Sequence, residues 1–135
     1  MEKSTLSGRI KPRLNAGCLT IAERKKRDGM PVKIVCFGEG NFIRAFVGYM
    51  VERMNRFRGF NGAFVTVQGL EKGRADEINA ADGLYEIMMR GGTCSKPLEK
   101  LMLVKSLKGC VDPYKNYGEL LSLAGGRELR AVFSN

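Results

Sequence analysis

A buried strand that runs into a glycine turn and then a helix is the feature that most constrains this fold. The segment Val32-Lys33-Ile34-Val35-Cys36-Phe37 is short and almost wholly apolar, which is typical of a strand covered on both faces of a parallel sheet. It ends at Gly38-Glu39-Gly40. From Asn41 onward, apolar residues recur at three- and four-residue spacing, which predicts an amphipathic helix. These apolar residues are Ile43, Phe46, Val47, Met50, Val51, Met54 and Phe57.

A second strand completes a strand–helix–strand unit. Gly59 and the pair Asn61-Gly62 interrupt the helical pattern, and residues 63–68 form a short β-branched run. Strands joined by a single helix lie parallel in the same sheet. The sequence therefore predicts an α/β protein.

The glycine turn lies where a strand meets a helix, a place that suits a phosphate. Backbone N–H groups and the helix dipole favour an anion such as a pyrophosphate there. Gly38 permits a tight turn and Gly40 removes the Cβ that would block the phosphate, while Ile43 occupies the usual third glycine position and Ala45 supplies the close helix–strand contact. A turn that only joins a strand to a helix is the alternative, because two glycines at this spacing are common.

The predicted cofactor is NAD, and the predicted binding residues surround this turn. Arg44 adds positive charge, and Asn135, next to Ser134, is expected at the carboxyl end of a last strand, where open α/β sheets bind ligands. The full predicted set is Phe37, Gly38, Glu39, Gly40, Asn41, Phe42, Ile43, Arg44, Gln68 and Asn135.

The choice between NAD and NADP stays open from the residues alone. Gln68 stands where the dinucleotide fingerprint expects an acid at the end of the second strand, and the next acid is Glu71. Lys72 and Arg74 are placed to accept a 2′-phosphate, or else belong to a solvated loop.

The elements downstream are predicted with less regular patterns. Residues 69–83 are polar and predict a loop, and strands at 84–90 and 101–107 flank a turn at Gly91-Gly92, so that they are expected to pair antiparallel. A helix from Asp112 or Pro113 to about Ala124 precedes a final apolar segment, 129–133. The predicted fold class is α/β, a Rossmann-type dinucleotide-binding fold with a mixed, mainly parallel sheet, incomplete at the C-terminus.

Charge divides the chain into two parts. The net charge is +9, and residues 1–30 hold eight basic against three acidic side chains. We predict a basic flexible extension at 1–30, followed by a partial nucleotide-binding domain at 31–135, because the charged run 23–28 leads into Gly29 and Pro31. Excess positive charge attracts nucleic acid, anionic lipid or a dinucleotide's phosphates.

Composition narrows the classes of function. With four cysteines in no C-x-x-C pair and no histidine, a mixed Cys/His zinc site is excluded, and we expect no metal and reduced thiols in a cytoplasmic protein. No segment approaches the roughly 20 apolar residues that span a bilayer, so no membrane association is expected. A basic nucleic-acid-binding module is an alternative, but residues 1–30 contain no aromatic residue for stacking, which makes nucleic acid the less favoured partner.

Several segments, in order, resemble one enzyme family. Residues 33–46, Asp82-Gly83-Leu84-Tyr85, Arg90-Gly91 and 130–135 resemble the start of the tagaturonate reductase (altronate oxidoreductase) branch of the long-chain mannitol dehydrogenase family. The resemblance covers residues 32–135. It implies a Rossmann-type N-terminal domain that binds NAD(H) and serves hydride transfer between a sugar-acid or polyol hydroxyl and its ketone.

The resemblance also implies that the catalytic machinery lies outside this chain. In the family, the catalytic lysine and its polar neighbours belong to a later, mostly helical domain. We therefore name no catalytic residue and expect this chain alone to lack catalysis. Two arrangements remain open: the NAD-binding fragment of an oxidoreductase, or a non-catalytic remnant or partner of a separately encoded C-terminal half.

Overall fold

The computed structural model describes residues 14–135, in which four helices and six strands follow one another. The helices are α1 (Ile21–Gly29), α2 (Gly48–Phe57), α3 (Ala75–Ala80) and α4 (Tyr117–Ala124). The strands are β1 (Val32–Phe37), β2 (Ala63–Val67), β3 (Tyr85–Thr93), β4 (Lys96–Val104), β5 (Leu107–Val111) and β6 (Ala131–Ser134). A 3-10 turn at Ala16–Cys18 precedes α1, and a π-helical segment, Ile43–Val47, leads into α2. No helix in the described range is long and apolar enough to cross a membrane.

A parallel sheet of four strands forms the centre of the fold. Its order is β5-β2-β1-β6, so that Ile34 of β1 pairs with Phe64 on one side and Ala131 on the other. The chain builds β1, β2 and β5 in one direction and then returns to place β6 beyond β1. This reversal of strand order is the arrangement of the Rossmann fold. The prediction of an α/β fold with a mainly parallel sheet is confirmed.

The strands β3 and β4 pair antiparallel, as the sequence predicts, but they form a separate two-stranded sheet instead of joining the parallel one. Their turn lies at Cys94-Ser95, whereas the predicted turn residues Gly91 and Gly92 belong to β3. Gly92 adopts a φ of +91°, and a Cβ at this position would collide with the Lys96 carbonyl oxygen. The glycines therefore serve close cross-strand approach and not chain reversal.

The strand predicted at 101–107 is two strands, separated by a bend at Lys105-Ser106. The Glu52 carboxylate of α2 accepts the N–H groups of both residues at this bend, and Arg27 of α1 donates to the Lys105 carbonyl. Since side chains satisfy the hydrogen bonds of these backbone groups, the pairing of β4 with β3 can end here. β5, which the sequence analysis did not predict, then pairs with the outer edge of β2.

The core lies between α2 with its π-helical start and one face of the sheet. Its buried members include Ile43, Val47 and Val51 from the helix side, and Ile34, Cys36 and Phe64 from the sheet. Full burial of a large apolar side chain contributes about 1.5–3 kcal/mol. Burial raises the pKa of the Cys36 thiol to about 12, so this residue stays protonated and behaves as a small apolar side chain.

The segment before Pro31 differs from the predicted flexible extension. Residues 1–13 lie outside the described range, and for them the extension stays a prediction. From Asn15 onward the chain is regular, because Thr20 and Glu23 form a capping box at the start of α1. Arg27, only 8% exposed, then fastens α1 to the domain by donating to the carbonyls of Lys105, Asp82 and Leu107.

Two further boundaries follow from side chains that cap helices. α3 lies within the predicted loop 69–83, and the Gln68 side chain accepts the N–H of Ala75 at its start. α4 begins at Tyr117 instead of Asp112 or Pro113, because the Asn116 side chain accepts the N–H of Glu119 and acts as its N-cap.

Replacing Arg27 with methionine should lower the free energy of unfolding by about 2–4 kcal/mol, because three carbonyls would lose a charged donor and the bond to the Leu107 carbonyl is buried. Urea denaturation measures the change. Lys25→Ala, on the exposed side of the same helix, is the matched control and should stay within about 0.5 kcal/mol of the wild type. Equal effects of the two substitutions would contradict a fastening role for Arg27.

The capping box should make stability depend on pH. The N–H of Thr20, followed by the Lys105 ammonium, lowers the Glu23 pKa from 4.5 to about 2. Because the folded pKa lies below the unfolded one, the stabilisation is full above about pH 5 and is lost as the pH falls through about 2. The stability difference between wild type and Glu23→Gln should shrink over this window in urea denaturation at stepped pH. A difference that stays constant across this window would contradict the stabilising role of the Glu23 carboxylate.

Candidate functional site

The glycine turn lies at the carboxyl end of β1, beside β6. The Gly38 N–H donates to the Val67 carbonyl at 2.8 Å, and the Asn135 N–H donates to the Phe37 carbonyl at 3.3 Å. Gly38 has a φ of +109°, a conformation that L side chains avoid. The turn therefore lies where the strand order reverses, the place at which open α/β sheets form a ligand crevice.

Gly40 begins the helix and leaves free space above it. A Cβ added here would meet nothing within 4 Å. The first helical hydrogen bond runs from the Arg44 N–H to the Gly40 carbonyl at 3.1 Å. The N–H groups of residues 41–43 precede that bond and so have no acceptor within the helix. Together with the helix dipole, these amides form an anion-binding end.

A π-helical turn shapes this end of the helix. The Gly48 N–H donates to the Ile43 carbonyl, a wide turn of the kind that is frequent at functional sites. The Tyr85 hydroxyl donates to the Arg44 carbonyl at 2.6 Å. Burial raises the pKa of Tyr85 far above its usual range, so the hydroxyl stays a donor and holds the turn against β3.

Arg44 is held beside the turn by several contacts. Its Nη2 donates to the Asn41 side chain at 3.0 Å, and its Cζ lies 5.9 Å from the centroid of the Tyr85 ring. Its Nε is buried without a hydrogen-bond partner among the described residues. A buried donor without a partner is costly, so this guanidinium has spare capacity for an acceptor.

Two predicted residues from the ends of β1 and β2 behave differently. The Gln68 side chain is buried; its Oε1 accepts the Ala75 N–H at 2.9 Å and its Nε2 donates to the Glu71 carbonyl at 3.2 Å. Glu39 reaches across from the glycine turn, where its Oε2 accepts the Gly69 N–H at 3.2 Å. At this end of β2, therefore, the Glu39 carboxylate and not the Gln68 amide keeps acceptor capacity for a ligand.

The other predicted residues surround or support the turn. Ile43 is 1% exposed and packs under Gly38, while Phe42 is 55% exposed and stacks on Phe46 with 5.2 Å between ring centroids. Phe37 ends β1 and is partly exposed. The structure thus brings together six of the predicted residues around the glycine turn. These six are Gly38, Glu39, Gly40, Asn41, Arg44 and Asn135.

The loop after β2 carries the residues considered for a 2′-phosphate. Lys72 and Arg74 are both exposed. Arg74 forms an ion pair with Glu77 at 3.3 Å across one turn of α3. The loop is therefore charged at its surface.

Tyr85 and Gly83 are supporting residues that sequence reasoning did not assign. Gly83 has a φ of +72°, and a Cβ there would strike the Leu107 carbonyl oxygen. The preceding Asp82 accepts the Ala16 N–H on its carboxylate at 2.9 Å. The Asp-Gly-Leu-Tyr sequence was the available signal, since Asp82 bonds to the N-terminal segment, Gly83 lies against β5 and Tyr85 bonds to the π-helical turn.

Two other grooves open away from the glycine turn. One of about 430 Å³ lies between α3, β5 and α4, and one of about 730 Å³ lies between α1, α2 and β4. Neither is lined by a residue of the Gly38–Gly40 turn. Among residues 14–135, no three His, Cys, Asp or Glu side chains are grouped so as to hold a metal ion.

The strand order and the glycine turn together define a Rossmann-type α/β domain. No protein-family model matches the chain. Altronate oxidoreductase of Bacteroides thetaiotaomicron is 37% identical over 105 residues, which cover 78% of this chain and 22% of that protein. The altronate oxidoreductase of Phocaeicola vulgatus is 38% identical over the same shares of both chains.

Solved structures agree with this relationship. D-sorbitol dehydrogenase in substrate-free form superposes with a TM-score of 0.68 and 25% identity, over 81% of this chain and 22% of that chain. The Pseudomonas fluorescens mannitol 2-dehydrogenase, in a ternary complex with NAD and D-mannitol, has a TM-score of 0.67 and 18% identity, over 93% and 24%. The chain is thus related to the altronate oxidoreductases and corresponds to the Rossmann-like N-terminal domain of a mannitol dehydrogenase-like enzyme, as the resemblance implied. It spans 22% of the length of these curated relatives.

Gly48→Ala should destabilise the protein by about 1–3 kcal/mol through overpacking, although alanine is about 1 kcal/mol better than glycine in a helix. A Cβ at this position would collide with the Tyr85 hydroxyl and lie 3.3 Å from the Phe64 ring. Urea denaturation shows whether the free energy of unfolding falls, as overpacking predicts, or rises, as helix propensity alone would predict. Gly29→Ala is the control, because a Cβ there meets nothing within 4 Å. The double variant with Tyr85→Phe should lose less stability than the two single losses added together.

Proposed function

We propose that this domain binds NAD(H) and serves an oxidoreductase that transfers a hydride between a sugar-acid or polyol hydroxyl and its ketone. The observation that carries the proposal is the Gly38–Gly40 turn with its free helical amides at the point where the strand order reverses. A dinucleotide's pyrophosphate matches this end in charge, shape and hydrogen bonding.

The described residues divide the work of holding the cofactor. The amides of residues 41–43 donate to the pyrophosphate, and Gly40 lets it approach the backbone without a Cβ in the way. Arg44 contributes a positive charge from a position already fixed by Asn41 and Tyr85. Asn135, which follows β6, lies beside the turn, because its N–H donates to the Phe37 carbonyl. When bound, NAD(H) supplies the hydride acceptor or donor.

Two kinds of relatives support the cofactor and the reaction. The mannitol 2-dehydrogenase structure is a complex with NAD and D-mannitol, and the relatives by sequence are named altronate oxidoreductases. Both names fit a substrate with several hydroxyl groups. We propose NAD as the cofactor on this basis.

Catalysis by this domain is proposed to require residues from elsewhere. Among the described residues near the glycine turn, no two side chains form a pair that could act as catalytic acid and base. We propose that the catalytic groups belong to a further segment, in the same polypeptide or in a separately encoded C-terminal half, as the 22% share of the relatives' length suggests. A cytoplasmic location, expected from four cysteines without a disulfide, is part of the same proposal.

Fluorescence titration of the purified chain with NADH tests the proposal. Saturable binding is expected, and Gly40→Val should weaken it at least about tenfold, because the new side chain fills the phosphate's place. The Gly40 substitution should leave the melting temperature nearly unchanged, since the space around it is open.

Gly91→Val is the matched control. A Cβ at position 91 would also meet nothing within 4 Å, but this position lies in β3, away from the turn. The Gly91→Val variant should therefore bind NADH like the wild type. A folded wild-type chain that fails to bind NADH would overturn the proposal. Equal binding by Gly40→Val would remove the turn from the site.

A further inference from the structure

The end of β2 lacks the acid that usually binds the adenosine ribose. That acid accepts hydrogen bonds from the ribose hydroxyls in NAD-binding folds. Gln68 takes its position here, but both ends of its amide are bonded within the protein, to Ala75 and to Glu71. A ligand could engage this side chain only by breaking those buried bonds, which is costly.

Glu39 brings a carboxylate to the same place from the neighbouring strand. Its Oε2 lies 3.2 Å from the Gly69 nitrogen, and Gly69 directly follows Gln68 at the end of β2. An ionised carboxylate has about four acceptor positions on its two oxygens. The bond to Gly69 therefore fixes the group and leaves acceptor capacity on both oxygens.

The charges around this carboxylate do not cancel it. Arg74 is occupied by Glu77, and Lys72 makes no ion pair among the described residues and extends into solvent. The charge anchored between the glycine turn and the end of β2 is thus negative. A negative group here accepts hydrogen bonds from the ribose hydroxyls and repels a phosphate on the ribose 2′ carbon.

We infer that Glu39 replaces the missing acid of β2, accepting hydrogen bonds from the ribose 2′- and 3′-hydroxyls and excluding the 2′-phosphate of NADP(H). This inference rests on the proposed function, because it assigns the specificity of the same site. It makes Glu39 a specificity-determining residue. Glu71, the exposed acid of the following loop, is the competing candidate.

Paired titrations with NADH and NADPH test the assignment in the wild type, Glu39→Gln and Glu71→Gln. The wild type should prefer NADH. Glu39→Gln keeps an oxygen that accepts the Gly69 N–H, so the fold should persist. Its preference for NADH over NADPH should fall at least about tenfold, because NADH binds more weakly and NADPH more tightly. Glu71→Gln should retain the wild-type ratio.

Salt provides a second readout. Repulsion between Glu39 and a 2′-phosphate is screened by ions. The preference of the wild type for NADH over NADPH should therefore decrease at high salt, and the preference of Glu39→Gln should change less. An unchanged NADH:NADPH ratio in folded Glu39→Gln, or a loss of preference in Glu71→Gln instead, would overturn the inference while the proposed function stands. Failure of the wild type to bind either dinucleotide would overturn both.

Discussion

Parallel pairing of β1 on both of its edges is the constraint on which the rest of this structure depends. Val35 and Cys36 are buried on opposite faces of a strand whose backbone bonds to β2 and to β6. Such a strand must enter and leave the sheet at its ends, so the chain has to turn sharply after Phe37. The glycines, the helix start and the end of β6 then meet at one edge because the ladder aligns them.

Polar side chains that bind backbone groups set the connections around this sheet. Arg27 donates hydrogen bonds to three carbonyls, and Glu52 accepts hydrogen bonds from the two amides of the β4–β5 bend. Gln68 accepts the N–H of Ala75 at the start of α3. Asn79 donates to the Cys110 carbonyl and accepts the Cys110 N–H, both at 2.8 Å. That pair occupies the outer edge of β5, as a further strand would. Apart from the bond of Gln68 to Ala75, each of these bonds joins residues at least 31 positions apart in the chain.

The same principle arranges charge at the candidate site. Arg44 lies over the Tyr85 ring beside the free amides, while Glu39 is tied to Gly69 at the end of β2. A positive and a negative side chain therefore lie on the two sides of the glycine turn, one after it in the helix and one within it. A dinucleotide offers the complementary order, a pyrophosphate followed by a ribose with two hydroxyls. Residues whose positions are fixed by packing need little reordering on binding, which favours affinity.

Local pattern by itself determined β1, the glycine turn, the following helix and β2, because alternation, helical spacing and glycine placement act within a few residues. It also determined the relationship to the mannitol dehydrogenase-like enzymes. Only the tertiary structure decided how α1 docks on the domain, the split between β4 and β5, and the separate β3–β4 sheet. These depend on bonds such as Arg27 to Leu107, whose partners are distant in sequence. No local pattern reports a contact of that kind, because its energy exists only once the chain has folded.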